Sequence, residues 1–275
     1  MSNEVIDVPV ESSEPPKVMP VVIVGDSSLV LSRATYSAFK VPVGTEVSFG
    51  TMEEIDEVIA KDPGLVIFTD SLTVKKNDTL DDTDLINACQ KIIKVTQAGI
   101  VIRSTLNIES TERLIMALSK PAFDAKIVYM PDTTNSNDVA EMISPAVQYI
   151  GGTPETIKSL MGLLTNLSHF SAGELKSGTV FEVVYANLAV AGLRLVKQSY
   201  FSEFHDCVLD LKNANPMIVR RLIERHPAMV DPTVAIPVSC TEIDIHDSNA
   251  FNGSTDTLTV LDAAITTQRK LRGDV

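Results

Sequence analysis

The sequence contains no tryptophan, and aromatic residues fill only 5% of its 275 positions. That leaves no platform of rings on which single-stranded bases could stack. Basic residues are in deficit, with 23 Lys and Arg against 36 Asp and Glu, for a formal charge of −13. Such a surface repels phosphate backbones and argues against direct nucleic-acid binding. The same field suits a basic protein partner through long-range steering. Cysteine is scarce too. Cys89, Cys207 and Cys240 are odd in number, far apart and without metal-ligand spacing. They argue against a disulfide framework or a zinc site, and for a reducing, cytoplasmic compartment. No basic segment followed by an apolar run stands at the N-terminus, so no secretory leader is expected. The longest apolar stretch, Val180 to Val196, is broken by Glu182, Asn187 and Arg194. It is too short and too polar to span a membrane.

What is present is a hydrophobic fraction of 44%, ample for a core, on a length that favours two domains. Residues 1–17 carry Glu4, Asp7, Glu11 and Glu14 among Pro9, Pro15 and Pro16, the composition of a disordered acidic arm. Short β-branched runs then alternate with helical segments. Strands are expected at Val21–Val24, Glu46–Phe49, Leu65–Phe68, Ile100–Ile102, Lys126–Tyr129 and Gln148–Ile150. Helices are expected at Ser28–Lys40, Met52–Ala60, Asp82–Thr96, Ser110–Leu118 with Ser110 as its cap, and Pro154–Leu164. Apolar strands alternating with helices predict an α/β fold, a doubly wound Rossmann-like parallel sheet, over residues 18–172.

Residues 173–227 read as central helices, and residues 228–275 as a C-terminal extension ending in a helix over Leu258–Leu271. The segment Val180 to Phe204 is apolar on nearly every face, whereas a helix lying on one domain needs a single apolar stripe. The excess predicts a homodimer in which this helix pairs with its copy. The competing reading folds residues 228–275 back over it.

Several segments, in order, resemble the UDP-glucose/GDP-mannose dehydrogenase family. Val101-Ile102-Arg103-Ser104-Thr105, followed by Thr111-Glu112-Arg113-Leu114, is similar to that family's strand, Ser-Thr turn and helix. Val128-Tyr129-Met130-Pro131-Asp132 resembles the strand leading into its Ser-Pro-Glu, and Ile150-Gly151-Gly152 its Ile-Gly-Gly turn. Tyr185-Ala186-Asn187 and Ser199-Tyr200-Phe201-Ser202-Glu203 resemble the signatures of its central helix. The resemblance implies a two-step oxidation of a sugar alcohol. That chemistry needs a bound dinucleotide, a Cys nucleophile, a Lys and Asn at the oxyanion, and acid/base groups.

Position by position, much of that machinery is altered. Of the phosphate-loop glycines only Gly25 is present, with Ser27 and Val30 in the other two places and Asp26 between. The acid expected on the ribose is missing after Phe49-Gly50. The central-helix Lys position holds Val183, Ser202 replaces an Asn, and Asp132 replaces a Glu. Cys240 stands near the nucleophile's position with Asp244 at the expected spacing, but Glu242, Asp244 and Asp247 surround it with negative charge, which disfavours a thiolate. The family's third domain has no room in the 35 residues after Cys240.

The resemblance thus implies a truncated, pseudoenzyme-like member. Its vestigial cofactor residues are Gly25, Ser27 and Thr105, and no cofactor is expected. The expected function is a non-catalytic acidic binding or inhibitory module acting on a basic, nucleic-acid-binding protein. Its economy suits the gene set of a large virus. The alternative is a reduced NAD-dependent dehydrogenase completed by another chain, with Cys240, Asp244, Asn187, Asp132 and Thr105 as its catalytic residues.

Overall fold

The computed structural model describes residues 19–39, 45–75, 80–134, 138–167, 171–209, 215–223 and 259–272. The acidic arm, Cys240, Asp244 and most of the C-terminal extension lie outside the described residues. The chain runs β1 (Met19–Val24), α1 (Val30–Phe39), β2 (Thr45–Gly50), α2 (Ile55–Ala60) and β3 (Leu65–Phe68). A small antiparallel pair follows, β4 (Thr73–Val74) and β5 (Leu80–Asp81), then α3 (Thr83–Val95), β6 (Gly99–Ile102), α4 (Ile108–Leu118), α5 (Lys120–Lys126) and β7 (Ile127–Tyr129). Next come α6 (Val139–Ile143), β8 (Val147–Gly151), α7 (Pro154–Leu167), β9 (Glu174–Gly178), α8 (Val180–Leu209), α9 (Pro216–Ile223) and α10 (Thr259–Arg272).

Seven strands form one sheet in the order β2-β1-β3-β6-β7-β8-β9. Its centre is apolar at every position because both faces are covered. Val22, Val24, Val66, Phe68, Ile100, Ile102 and Tyr129 pack on one face with Leu85, Ile92 and Leu114. Val21, Leu65, Ile67, Val101 and Val128 pack on the other with Ala38, Leu160 and Leu164. Alternate residues of one strand thus serve opposite cores. Each such fully buried aliphatic side chain contributes about 1.5–3 kcal/mol.

The sheet departs from the expected parallel arrangement at one edge. β8 runs antiparallel to β7, and β9 is parallel to β8. The cause is the link after β7. Its one short helix, α6, packs on α1 instead of crossing back over the sheet. The chain therefore re-enters from the carboxyl end of β7, where the Thr133 hydroxyl donates to the Val147 carbonyl. β9 is a polar edge, with Glu174 and Lys176 exposed and paired at 3.6 Å.

The N-cap of α4 is Asn107 rather than Ser110, because Asn107 Oδ1 accepts from the Ser110 amide at 2.8 Å. Glu109 and Arg113 pair on this helix, one turn apart, and Arg113 also holds Asp82 at 2.9 Å. The thirty-residue α8 opens on a capping box. Glu182 Oε2 accepts from the Thr179 amide at 2.7 Å, while Thr179 Oγ1 accepts from the Glu182 amide at 3.2 Å.

From that start α8 crosses the end of β8 at Gly151. A Cβ there would lie 2.8 Å from Val180 Cα, so only glycine lets the helix seat. The inner face of α8, with Val180, Val183, Val184 and Leu188, joins the main core.

Farther along, α10 packs against α8. Ser199 Oγ donates to the Ala264 carbonyl at 3.1 Å and accepts from Gln268 Nε2 at 3.2 Å. Part of the apolar excess of α8 is thus covered within the chain, as the fold-back reading expected. Tyr185, Leu193, Tyr200 and Leu209 remain 41–59% exposed.

Gly151→Ala should force α8 off its seat and cost about 1–3 kcal/mol, as overpacked sites do. Urea denaturation of the variant checks this.

Candidate functional site

The carboxyl ends of β1, β3, β6 and β7 open on one side of the sheet, the place where this kind of fold binds ligands. Gly25 ends β1 and hydrogen-bonds the Gly50 carbonyl at 3.0 Å. The loop after it meets the turn leaving β3. The Asp26 amide donates to Asp70 Oδ1 at 2.6 Å, and the Ser28 amide donates to Asp26 Oδ1 at 2.8 Å. Thr69 Oγ1 lies 2.7 Å from Ser32 Oγ on α1. A Cβ on Gly25 would come within 2.4 Å of Thr69 Oγ1, so this glycine is retained for a close approach inside the protein. Ser27 is exposed, and Val30 opens α1. The Asp26 and Ser28 amides of this loop thus both donate to carboxylates of the chain.

Beyond β6, Arg103 is buried and its Nη1 donates to Thr35 Oγ1 at 3.1 Å. Burial pushes the Arg103 pKa down, and the neighbouring Asp132 charge opposes that shift. Asp132 itself closes a turn, with Oδ1 accepting from the Thr134 amide at 3.0 Å and from its hydroxyl at 2.8 Å. Thr105 is half-buried in the turn before α4. Asn187 lines a separate cleft of about 530 Å³ with Thr133, Thr134, Glu141, Tyr149 and Val190. Among the described residues no hydrogen bond joins Thr105, Asp132 and Asn187 to one another. The expected Lys position, Val183, is buried against Gly151. Ser202 is buried fifteen residues along α8 from Asn187, roughly 22 Å at the helical rise, so the two do not share a site.

Sequence reasoning missed Thr69 and Asp70, which decide the state of the loop, and the burial of Arg103. Cys89 is buried in the core, which pushes its thiol pKa far up and leaves it inert. No cluster of three or more metal-ligating side chains occurs among the described residues. No described helix is long and apolar enough to cross a membrane.

The arrangement matches solved dehydrogenases. A UDP-glucose dehydrogenase from Pyrobaculum islandicum superposes with a TM-score of 0.70 over 96% of this chain and 70% of its own, at 13% identity. The chain has a dehydrogenase-like fold. A UDP-D-ManNAc dehydrogenase from Pyrococcus horikoshii gives 0.68 over 92% of this chain and 68% of its own, also at 13% identity. The 3-hydroxyisobutyrate dehydrogenase of Mycobacterium tuberculosis gives 0.64 at 12% identity, over 93% of this chain and 94% of its own. No family model matches the sequence, and no curated protein does.

Asp26 provides a direct readout of the loop. The Ser28 amide, then the Ser28 hydroxyl, holds its carboxyl below the ordinary 3.8. A depressed folded pKa means the contact stabilises above the unfolded value and is lost as pH falls through the folded one. The Ser28 amide signal in an NMR titration should therefore move with a midpoint below 3.8.

Proposed function

We propose that this chain is a non-catalytic protein on a dehydrogenase-like fold, acting as an acidic binding or inhibitory module toward a basic protein. One observation carries the reading. The loop that should cradle a pyrophosphate already has its Asp26 and Ser28 amides bonded to the Asp70 and Asp26 carboxylates. A dinucleotide arriving there meets occupied donors and two negative charges, where this fold's binding mode requires open amides at a helix start. The buried Val183 in place of a cation supports the same conclusion for the sugar-oxidising step. The charge of −13 supports a basic partner, since opposite fields accelerate encounter.

Calorimetric titration with NAD and with UDP-glucose tests the reading. The expected result is no saturable isotherm for either. Micromolar uptake of NAD favours instead the alternative, a reduced dehydrogenase completed by another chain.

The assembly belongs to the same proposal. Tyr185, Leu193 and Tyr200 leave an apolar stripe along the outer face of α8, with the Tyr200 and Phe204 rings stacked at 6.2 Å. A stripe without charge at these positions suits two-fold pairing with its own copy. Leu193, 55% exposed, is the residue to change, because Leu188 is fully buried in the core of its own chain. Leu193→Asp should give a folded monomer by light scattering where the unmodified chain gives a dimer. Leu188→Asp should unfold the chain, since it buries an unpaired charge. A monomeric unmodified chain at micromolar concentration refutes the pairing.

A further inference from the structure

We propose that a cleft at the amino ends of the strands, at the far end of the sheet from the Gly25 loop, binds a small aliphatic carboxylate. The cleft holds about 560 Å³, within the range of small-molecule sites. The starts of β1, β3 and β6 line it, and backbone bonds tie them together there. The Gly64 amide donates to the Pro20 carbonyl at 2.9 Å, and the Gly99 amide to the Gly64 carbonyl at 3.0 Å. One face of α7 completes it, with Thr156, Ser159, Leu160 and Leu163 recurring at helical spacing. A site tied by such bonds exists before its ligand arrives, so little is lost to reorganisation on binding. It is present whether or not the Gly25 loop takes a dinucleotide, and so stands apart from the proposed function.

The lining sets the chemistry of the ligand. It includes Leu160, Leu163 and Pro63 and no aromatic ring, so it buries an alkyl body but offers no stacking. Its charge runs against that of the chain. Acidic residues outnumber basic ones 36 to 23 over the sequence, yet the cleft is lined by Lys61 and Lys126 against a single acid, Asp62. Lys61 commits its ammonium to the Ser48 hydroxyl and the Phe49 carbonyl. Lys126 is half-buried and donates to the Thr96 carbonyl at 2.8 Å. Among the described residues no carboxylate lies within ion-pair distance of it. An ammonium carries three donors, so two remain for a ligand. A carboxylate held at Lys126 by charge-assisted bonds, with its alkyl chain along Leu160 and Leu163, uses both the cation and the apolar lining.

Titration of the isotope-labelled full chain with octanoate, and with octanol as its uncharged counterpart, tests the site by amide NMR. Octanoate should bind saturably, with shifts at residues 97–99 and 159–163. It should bind about tenfold tighter than octanol, the difference that one charge-assisted contact makes. Lys126→Gln should remove that advantage and leave octanol binding as it was. Absence of saturable octanoate uptake by the unmodified chain overturns the proposal. So do shifts confined to other surfaces, or an undiminished preference for octanoate in the variant. If Lys126→Gln does not fold, Ser159→Phe serves in its place, because Ser159 is exposed on α7 and a ring there takes up the space of the cleft. It should abolish octanoate uptake, and uptake that persists in the folded Ser159→Phe chain overturns the site.

Discussion

Burial of the central strands on both faces is the constraint from which the rest follows. β1, β3, β6 and β7 have no solvent face to offer, so chemistry can sit only where the chain leaves the sheet. At those exits a backbone amide either finds a partner within the chain or waits for a ligand. Here the Asp26 amide finds Asp70 at the exit of the neighbouring β3, and the Ser28 and Thr134 amides find Asp26 and Asp132 within their own turns. The same burial fixes how closely elements approach, which is why Gly25 and Gly151 stand where they do. One admits the Thr69 hydroxyl and the other the start of α8.

Much of the fold was legible because the central strands are continuous β-branched and aliphatic runs with helices between them. The Val21–Val24 and Leu65–Phe68 segments appear as strands with little change. Elements without an apolar signature were not legible. β9 is Glu174-Leu175-Lys176-Ser177-Gly178 and gives no alternation of the kind a half-buried strand shows. α5 and α6 are too short for periodicity to register. The reversal at β8 depends on where α6 docks, which is a tertiary fact. Ser110 read as a cap because it precedes the apolar run, yet Asn107 does that work and starts the helix two residues earlier.

The candidate site was legible in what it lacks and illegible in what fills it. Ser27, Val30 and Val183 read as departures once set against the signatures of the family that the sequence resembles. Asp70 lies 44 residues from Asp26, and nothing local marks it as a partner. Only the pairing of β1 with β3 brings their exits together. The apolar excess of α8 was legible as well, but its division between core, α10 and solvent required knowing which turns face which neighbours.

The polar character of β9 has a consequence for growth beyond one molecule. An open sheet edge is a template onto which another strand can add, and chains that leave it bare invite runaway stacking. Here that edge is fenced by Glu174 and Lys176, which an incoming strand would have to desolvate or sit beside as unmatched charges. Addition of a strand from a second copy at the β9 edge is thereby discouraged.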